Sequence, residues 1–186
     1  MEFAPLPEGT VRFPPEVIRE FLDAAILAAG IPGPHAHLTA AVLVSADLRG
    51  IRSHGAVRLP FFMDRIGRGH INKNPRMTLR AGSDTTSVLD ADNGLGTVAA
   101  DKAMEEALAR AENHGSGFIA VQNSNHFGYA GYWARKATEQ GCIGICMSNG
   151  GGYVVPTFGT APLFGTNPMS VAIPGGPGEH GFHLDM

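Results

Sequence analysis

The residues best equipped for chemistry fall into three clusters. The densest is Arg49-Gly50-Ile51-Arg52-Ser53-His54-Gly55-Ala56-Val57-Arg58, bracketed by glycine between two apolar-periodic segments. An imidazole titrates near neutrality, which makes His54 a candidate general acid or base. Arg58, four residues further on, carries a planar fork suited to a carboxylate. A solvated loop whose His54 and Arg58 merely cap helix ends would contain the same residues.

The second cluster, Gln122-Asn123-Ser124-Asn125-His126-Phe127-Gly128, follows a short apolar run and precedes a helix start. That placement suits a site at the end of a strand, with His126 as a second acid/base candidate. Ordinary helix capping by Asn and Ser is the alternative. The third, Phe164-Gly165-Thr166-Asn167-Pro168, comes shortly after Ser148-Asn149-Gly150-Gly151-Gly152. Such turns expose backbone N–H groups and hydroxyls that can hold an oxyanion or a ribose, although either alone reads equally as a plain turn.

A dinucleotide fingerprint is not among these clusters. Gly94-Leu95-Gly96-Thr97-Val98-Ala99 matches G-x-G-x-x-A between a strand and a helix. However, Asp90 and Asp92 just before it would repel a pyrophosphate, and the following strand ends in Gln122-Asn123 rather than an acid. The glycines read better as a helix N-terminus. His35 and His37 fall at a helix start, and His180 and His183 have a metal-like separation only if helical, where a strand is expected. No metal site is expected.

The elements that position the clusters are legible from punctuation and periodicity. Pro14 and Pro15 open a helix through Val17, Ile18, Phe21, Leu22, Ala25 and Ile26, with Gly30 after its end. A second helix follows Pro34 and stops near Gly50, and a third runs from about Arg58 to Ile66. A boundary near residue 75 then separates a helical domain, 1–75, from a segment, 76–186, of short strands and helices. There Met77–Ala81 and Thr85–Leu89 read as a hairpin, and Gly96–His114 and Ala130–Gln140 as helices. Phe118–Val121, Ile143–Met147, Val171–Ile173 and Phe182–Leu184 read as strands. The chain stops within the last strand, which suggests truncation.

Composition narrows the class. The 186 residues are 44% hydrophobic and 17% charged, with a formal net charge of −3, which fits a globular protein. Scattered Lys and Arg give no basic patch for nucleic acid or an anionic membrane. The N-terminal MEFAPLPEGTVRF lacks the features of a secretory leader, and no apolar run is long enough to span a bilayer. Cys142 and Cys146 match neither C-x-x-C nor a zinc half-site, and on a strand they would share one face as small core residues. A reduced, cytoplasmic setting is expected.

Taken together, the clusters resemble the type-2 malate/L-lactate dehydrogenases, a family that includes ureidoglycolate and sulfolactate dehydrogenases, 2,3-diketogulonate reductase and cyclic-imine reductases. The resemblance rests on Asp47-Leu48-Arg49-Gly50-Ile51-Arg52-Ser53-His54-Gly55-Ala56-Val57-Arg58-Leu59-Pro60, on Asn125-His126-Phe127-Gly128-Tyr129-Ala130-Gly131, and on Gly165-Thr166-Asn167-Pro168. Leu184-Asp185-Met186 looks like the start of the family's D-M-A-T-S segment.

The resemblance implies an α+β fold: a helical domain joined to part of a non-Rossmann domain with a mixed, largely antiparallel sheet. It implies a homodimer, and an NAD- or NADP-dependent hydride transfer between nicotinamide and a small 2-hydroxy or 2-oxo acid. Carried over by position, His54 is the proton donor, His126 a second acid/base, and Ser53, Arg58 and Thr166 substrate contacts. Asn149, Gly150, Asp185 and Met186 would face the cofactor. Phe62 stands where many relatives have Tyr, so substrate identity does not transfer. Two other readings stay open: an inactive truncated fragment, and a hydrolase using His54 and His126 with Ser53 or Ser124.

Overall fold

The computed structural model describes residues 9, 11–80, 82–176, 178 and 180–186. The expectations about the N-terminal leader and about Ala81 as a strand end lie at least partly outside the described residues. Three helices come first: α1 (Pro15–Ala28), α2 (Gly33–Leu48) and α3 (Leu59–Gly67), with two short 3-10 turns, Arg52–His54 and Ala56–Arg58, between the last two. Then follow β1 (Thr78–Arg80), β2 (Thr86–Asp90), α4 (Gly96–His114), β3 (Phe118–Gln122), α5 (Ala130–Thr138), β4 (Gly144–Met147), β5 (Met169–Ile173) and β6 (Phe182–Asp185).

The helix α2 is the centre of the packing. Ala36, Thr39, Ala40, Val42, Leu43, Val44 and Ala46 are all buried, so it is apolar on more than one face. Its small side chains let α1, α4, α5 and both 3-10 turns pack against it. Leu22 and Ile26 of α1, Leu43 of α2 and Phe62 and Ile66 of α3 form one core, which Leu95 joins from just before α4. At that junction Thr39 donates its hydroxyl to the His35 carbonyl at 2.8 Å, so the buried Thr97 hydroxyl, 2.7 Å from Thr39 Oγ1, is the donor to it.

The strands form two three-stranded sheets rather than one. In the first, β1 and β2 pair antiparallel as the expected hairpin, and β3 joins β2 in parallel after the α4 crossover. In the second, β4-β5-β6 is antiparallel throughout. One face of this sheet packs on α5, with the partners Gly144↔Ala172 and Cys146↔Ser170 and the neighbouring Asp185 and His183 on that side. The approach is close: a Cβ on Gly144 would lie 1.9 Å from the Ala134 carbonyl oxygen. On the other face Ile145, Met147, Ile173 and Phe182 are exposed.

Cys142 departs from expectation. Only Cys146 is on the strand, because the Cys142 N–H returns to the Ala137 carbonyl at 3.1 Å and closes α5 in a Schellman turn. No described helix is long and apolar enough to cross a membrane, and no cluster of three metal-ligating side chains is found among the described residues.

Thr39→Val should destabilise the protein by about 1–3 kcal/mol, because the Thr97 hydroxyl is left buried without an acceptor. Thr39→Val/Thr97→Val should then cost less than the sum of the single changes in urea denaturation. Strict additivity would argue against the coupled pair.

Candidate functional site

His54 is placed by the way α2 ends. Gly50 adopts φ +76°, which a side chain would strain, and closes the helix in a Schellman turn: Gly50 N–H to Asp47 O at 3.0 Å and Ile51 N–H to Ala46 O at 2.9 Å. The two 3-10 turns follow at once. Ser53 Oγ lies 2.9 Å from His54 Nδ1, and Arg58 donates its Nε–H to the Ser53 carbonyl at 2.6 Å. The terminal guanidinium nitrogens of Arg58 have no partner among the described residues, which leaves their paired edge available.

His126 arrives from the other side of the molecule, and the acids that argued against a phosphate site are what hold its loop. Asp90 accepts from the Asp92 N–H at 3.0 Å, the Gln122 amide at 2.9 Å and the Asn123 amide at 3.0 and 3.1 Å. These bonds, that of the Asp92 N–H foremost, hold the Asp90 carboxyl below the usual carboxylate range. Asp92 in turn accepts from the Asn72 amide and the Arg76 N–H, both at 2.9 Å. Asn125 donates to the Asn93 and Gly94 carbonyls, each at 2.9 Å, and accepts from Arg65 at 3.1 Å. The G-x-G also has a mechanical role. A Cβ on Gly96 would lie 2.0 Å from the Asn125 carbonyl oxygen and 2.6 Å from the His126 carbonyl carbon. That glycine admits the backbone of the His126 loop, not a phosphate.

The two imidazoles meet with ring centroids 5.4 Å apart and planes inclined by 25°, a stacked pair. The Phe61 and Phe62 rings stand edge-on to His126 at 5.7 and 5.9 Å. His126 Nδ1 accepts the Gly128 N–H at 3.2 Å, so the neutral ring carries its proton on Nε2. Burial above all, with help from the positive charges of Arg58 and His54, pushes the His126 pKa down to about 4. Burial and Arg58 also lower that of His54, while the Asp185 carboxylate opposes them.

The remaining candidates gather at one end of the second sheet. Its antiparallel register puts the end of β4, the start of β5 and the end of β6 side by side, with Ser148 N–H on Pro168 O at 3.1 Å and Met186 N–H on Met169 O at 3.0 Å. Gly150 N–H donates to Asn167 Oδ1 at 3.0 Å, and a Cβ on Gly150 would lie 3.0 Å from Thr166 Oγ1. So Asn149, Gly150, Thr166, Asp185 and Met186 share one end. Ser53, His54, Arg58 and His126 form a second group, and Asp185 links the two through its charge on His54. No hydrogen bond joins the groups among the described residues.

Two surface depressions lie elsewhere: Arg65, Gly69, His70 and Asn72 are among the residues lining one, and Gly82, Ser83 and Arg110 among those lining the other. Ser124 Oγ reaches only the Asn125 carbonyl, at 3.5 Å, and no described carboxylate is within ion-pair distance of His54 or His126. Among the described residues, no Ser-His-carboxylate triad is assembled around either ring. Sequence reasoning gave no role to Asn125 or Phe61, and noted Phe62 only as a departure from many relatives. The amide lay within a quoted cluster, and the two adjacent phenylalanines differ only in exposure, Phe62 being fully buried.

The α+β architecture carries no Rossmann sheet among the described residues and brings two histidines face to face, and the chain's relatives give its lineage. The family model for malate/L-lactate dehydrogenase matches residues 13–186, and the chain belongs to that family. It is 42% identical over 167 residues to the malate dehydrogenase of Pyrococcus abyssi, covering 90% of this chain and 46% of that one. It is 37% identical over 160 residues to the ureidoglycolate dehydrogenase (NAD(+)) of Escherichia coli, covering 86% and 46%. The solved malate dehydrogenase of Pyrococcus horikoshii superposes with a TM-score of 0.94 at 37% identity, over 100% of this chain and 53% of that one. The chain thus spans about half the length of the curated relatives it matches.

The depressed His126 pKa has a stability consequence whose sign is fixed. Between pH 6.5 and about 4 the unfolded ring binds a proton and the folded ring does not, so stability falls as pH falls through that window. His126→Phe should remove a slope worth on the order of 3 kcal/mol across it, read by denaturation at pH 7 and pH 4. An unchanged pH dependence would contradict the burial of the ring. Gly96→Ala should be disruptive, by about 1–3 kcal/mol, since backbone rather than a flexible side chain must yield. A fully stable Gly96→Ala variant would contradict the close approach.

Proposed function

We propose that this protein is a nicotinamide-dependent dehydrogenase that interconverts small 2-hydroxy acids and the corresponding 2-oxo acids, with NAD the favoured cofactor and NADP the alternative. The observation that carries the reading is the stacked His54–His126 pair under the charge of Arg58. It occurs in a family whose named relatives include malate and ureidoglycolate dehydrogenases.

The end of the second sheet suits such a cofactor. Gly150 without a Cβ leaves room there, and the exposed Asp185 carboxylate offers acceptors for a carboxamide or ribose hydroxyls. Asn149, Gly150, Asp185 and Met186 would hold it there, with Thr166 turned to the substrate. A bound nicotinamide would supply a hydride to C2 of the 2-oxo acid, or accept one from C2 of the 2-hydroxy acid.

The chain's own residues do the rest. Arg58 binds the carboxylate through its two terminal nitrogens, its Nε being already held by Ser53. In the tautomer with its proton on Nδ1, 2.9 Å from Ser53 Oγ, His54 has Nε2 free for the substrate oxygen. In the oxidation direction neutral Nε2 takes the hydroxyl proton, and in reduction the protonated ring returns it. His126, kept neutral by burial, offers its Nε2–H to the same oxygen. Phe61 and Phe62 exclude water on one side and strengthen these contacts.

The direct experiment incubates the purified protein with NADH or NADPH and a panel of 2-oxo acids and follows reduced-nicotinamide absorbance. Acid-dependent oxidation supports the reading. Nicotinamide binding without turnover supports the alternative that these 186 residues alone are an inactive fragment, and neither binding nor turnover rejects both. In an active form, His54→Ala should lower kcat about a hundredfold or more while nicotinamide binding persists, and near-normal kcat would remove His54 from its role. Arg58→Lys should raise KM for carboxylate substrates by on the order of tenfold, since one ammonium does not replace a fork. The kcat/KM for oxidation should fall as pH drops through the His54 pKa, which lies below 6.5, and reduction should show the opposite trend.

A further inference from the structure

We propose that Asp47 is the positioning residue of His54: its carboxylate locks the reversal between the two 3-10 turns and so sets where the imidazole stands. The inference deepens the reading of His54 as the acid/base and rests on it only for its catalytic consequence.

Three observations converge. Asp47 is the penultimate residue of α2, in the last turn, where a negative charge opposes the helix dipole and contributes nothing to the helix. Its duty therefore lies outside the helix. Its Oδ2 accepts the Ala56 N–H at 2.8 Å, the first amide of the second 3-10 turn. The carboxylate also occupies the space over Gly55. A Cβ there would lie 1.8 Å from Oδ1, 2.2 Å from Cγ and 2.6 Å from Oδ2, all atoms of Asp47.

Gly55 does not owe its identity to backbone strain. Its φ of −88° and ψ of −150° are open to any residue. The absence of a side chain is what the position requires, so that the carboxylate can reach past it to Ala56. His54 immediately precedes this buried glycine, and its own N–H is held by the Ile51 carbonyl at 3.0 Å. The ring is thus anchored on the chain before it by α2 and on the chain after it by Asp47. Freeing the second anchor releases both the stack on His126 and the Ser53–Arg58 bond. The chemistry needs an acceptor at this place rather than a charge, so Asn should serve and Ala should not.

The test uses the protein as it stands, by NMR, so that it does not depend on turnover. In the unmodified chain the Ala56 amide should be protected from exchange, and His54 should titrate below 6.5 with contacts between its ring protons and those of His126. Asp47→Ala should speed Ala56 exchange by about tenfold or more, abolish the inter-ring contacts and return the His54 pKa toward 6.5. Protection at Leu43 in the middle of α2 should be unchanged. Asp47→Asn should keep all the features of the unmodified chain. Gly55→Ala, which displaces the carboxylate without removing it, should reproduce the Ala variant and guards against misfolding of either one. Where the active enzyme is assayed, Asp47→Ala should lower kcat by roughly ten- to a hundredfold with KM within about threefold, as a misplaced group does. Unaltered Ala56 exchange and His54 titration in folded Asp47→Ala and Gly55→Ala variants would overturn the proposal. Absence of both nicotinamide binding and turnover, with the NMR pattern as expected, would reject the dehydrogenase reading and leave the lock in place.

Discussion

The structure turns on one close approach, that of the 125–126 backbone to the first turn of α4 at Gly96. Backbone atoms cannot swing aside as side chains do, so this contact fixes the His126 loop against the helix. Since α4 also packs on α2, it fixes the loop relative to the turn that carries His54. The amide of Asn125, bonded to two carbonyls and to Arg65, secures the loop from its far side. Two histidines on unrelated segments are thereby held face to face without any bond between them.

That arrangement sets the electrostatics. Two imidazoles and a guanidinium share a partly dehydrated space, and each added positive charge there works against the others. The neutral state of His126 is a consequence of crowding and burial. Asp185, from the last strand, is the counterweight, and it acts on His54 rather than His126. The two rings therefore differ in how readily they take a proton.

The second sheet contributes by being thin on one side. Gly144, Ser170 and Ala172 let α5 lie almost on the strand backbone, which brings Asp185 to Gly131 at the start of α5. Larger residues at those positions would lift the helix and carry the carboxylate away from the site. The opposite face keeps its apolar side chains exposed. The share of the relatives' length that this chain spans, about half, leaves ample chain in those proteins to cover such a face.

Most element positions were legible in the sequence because they depend on signals within a few residues. Proline opens α1 to α3 within their first turns, and glycine follows the end of α2, α4 and α5. The hairpin, the span of α4 and the His54, Arg58 and His126 candidates could be read the same way. What the sequence could not show is which segments touch. The division of the strands into two sheets, the stacking of His54 on His126, the use of Asp90 and Asp92 to pin loops, and the reasons for Gly55 and Gly96 all depend on distances between remote segments. Those distances are set by how buried side chains fill space together, and no local pattern records them.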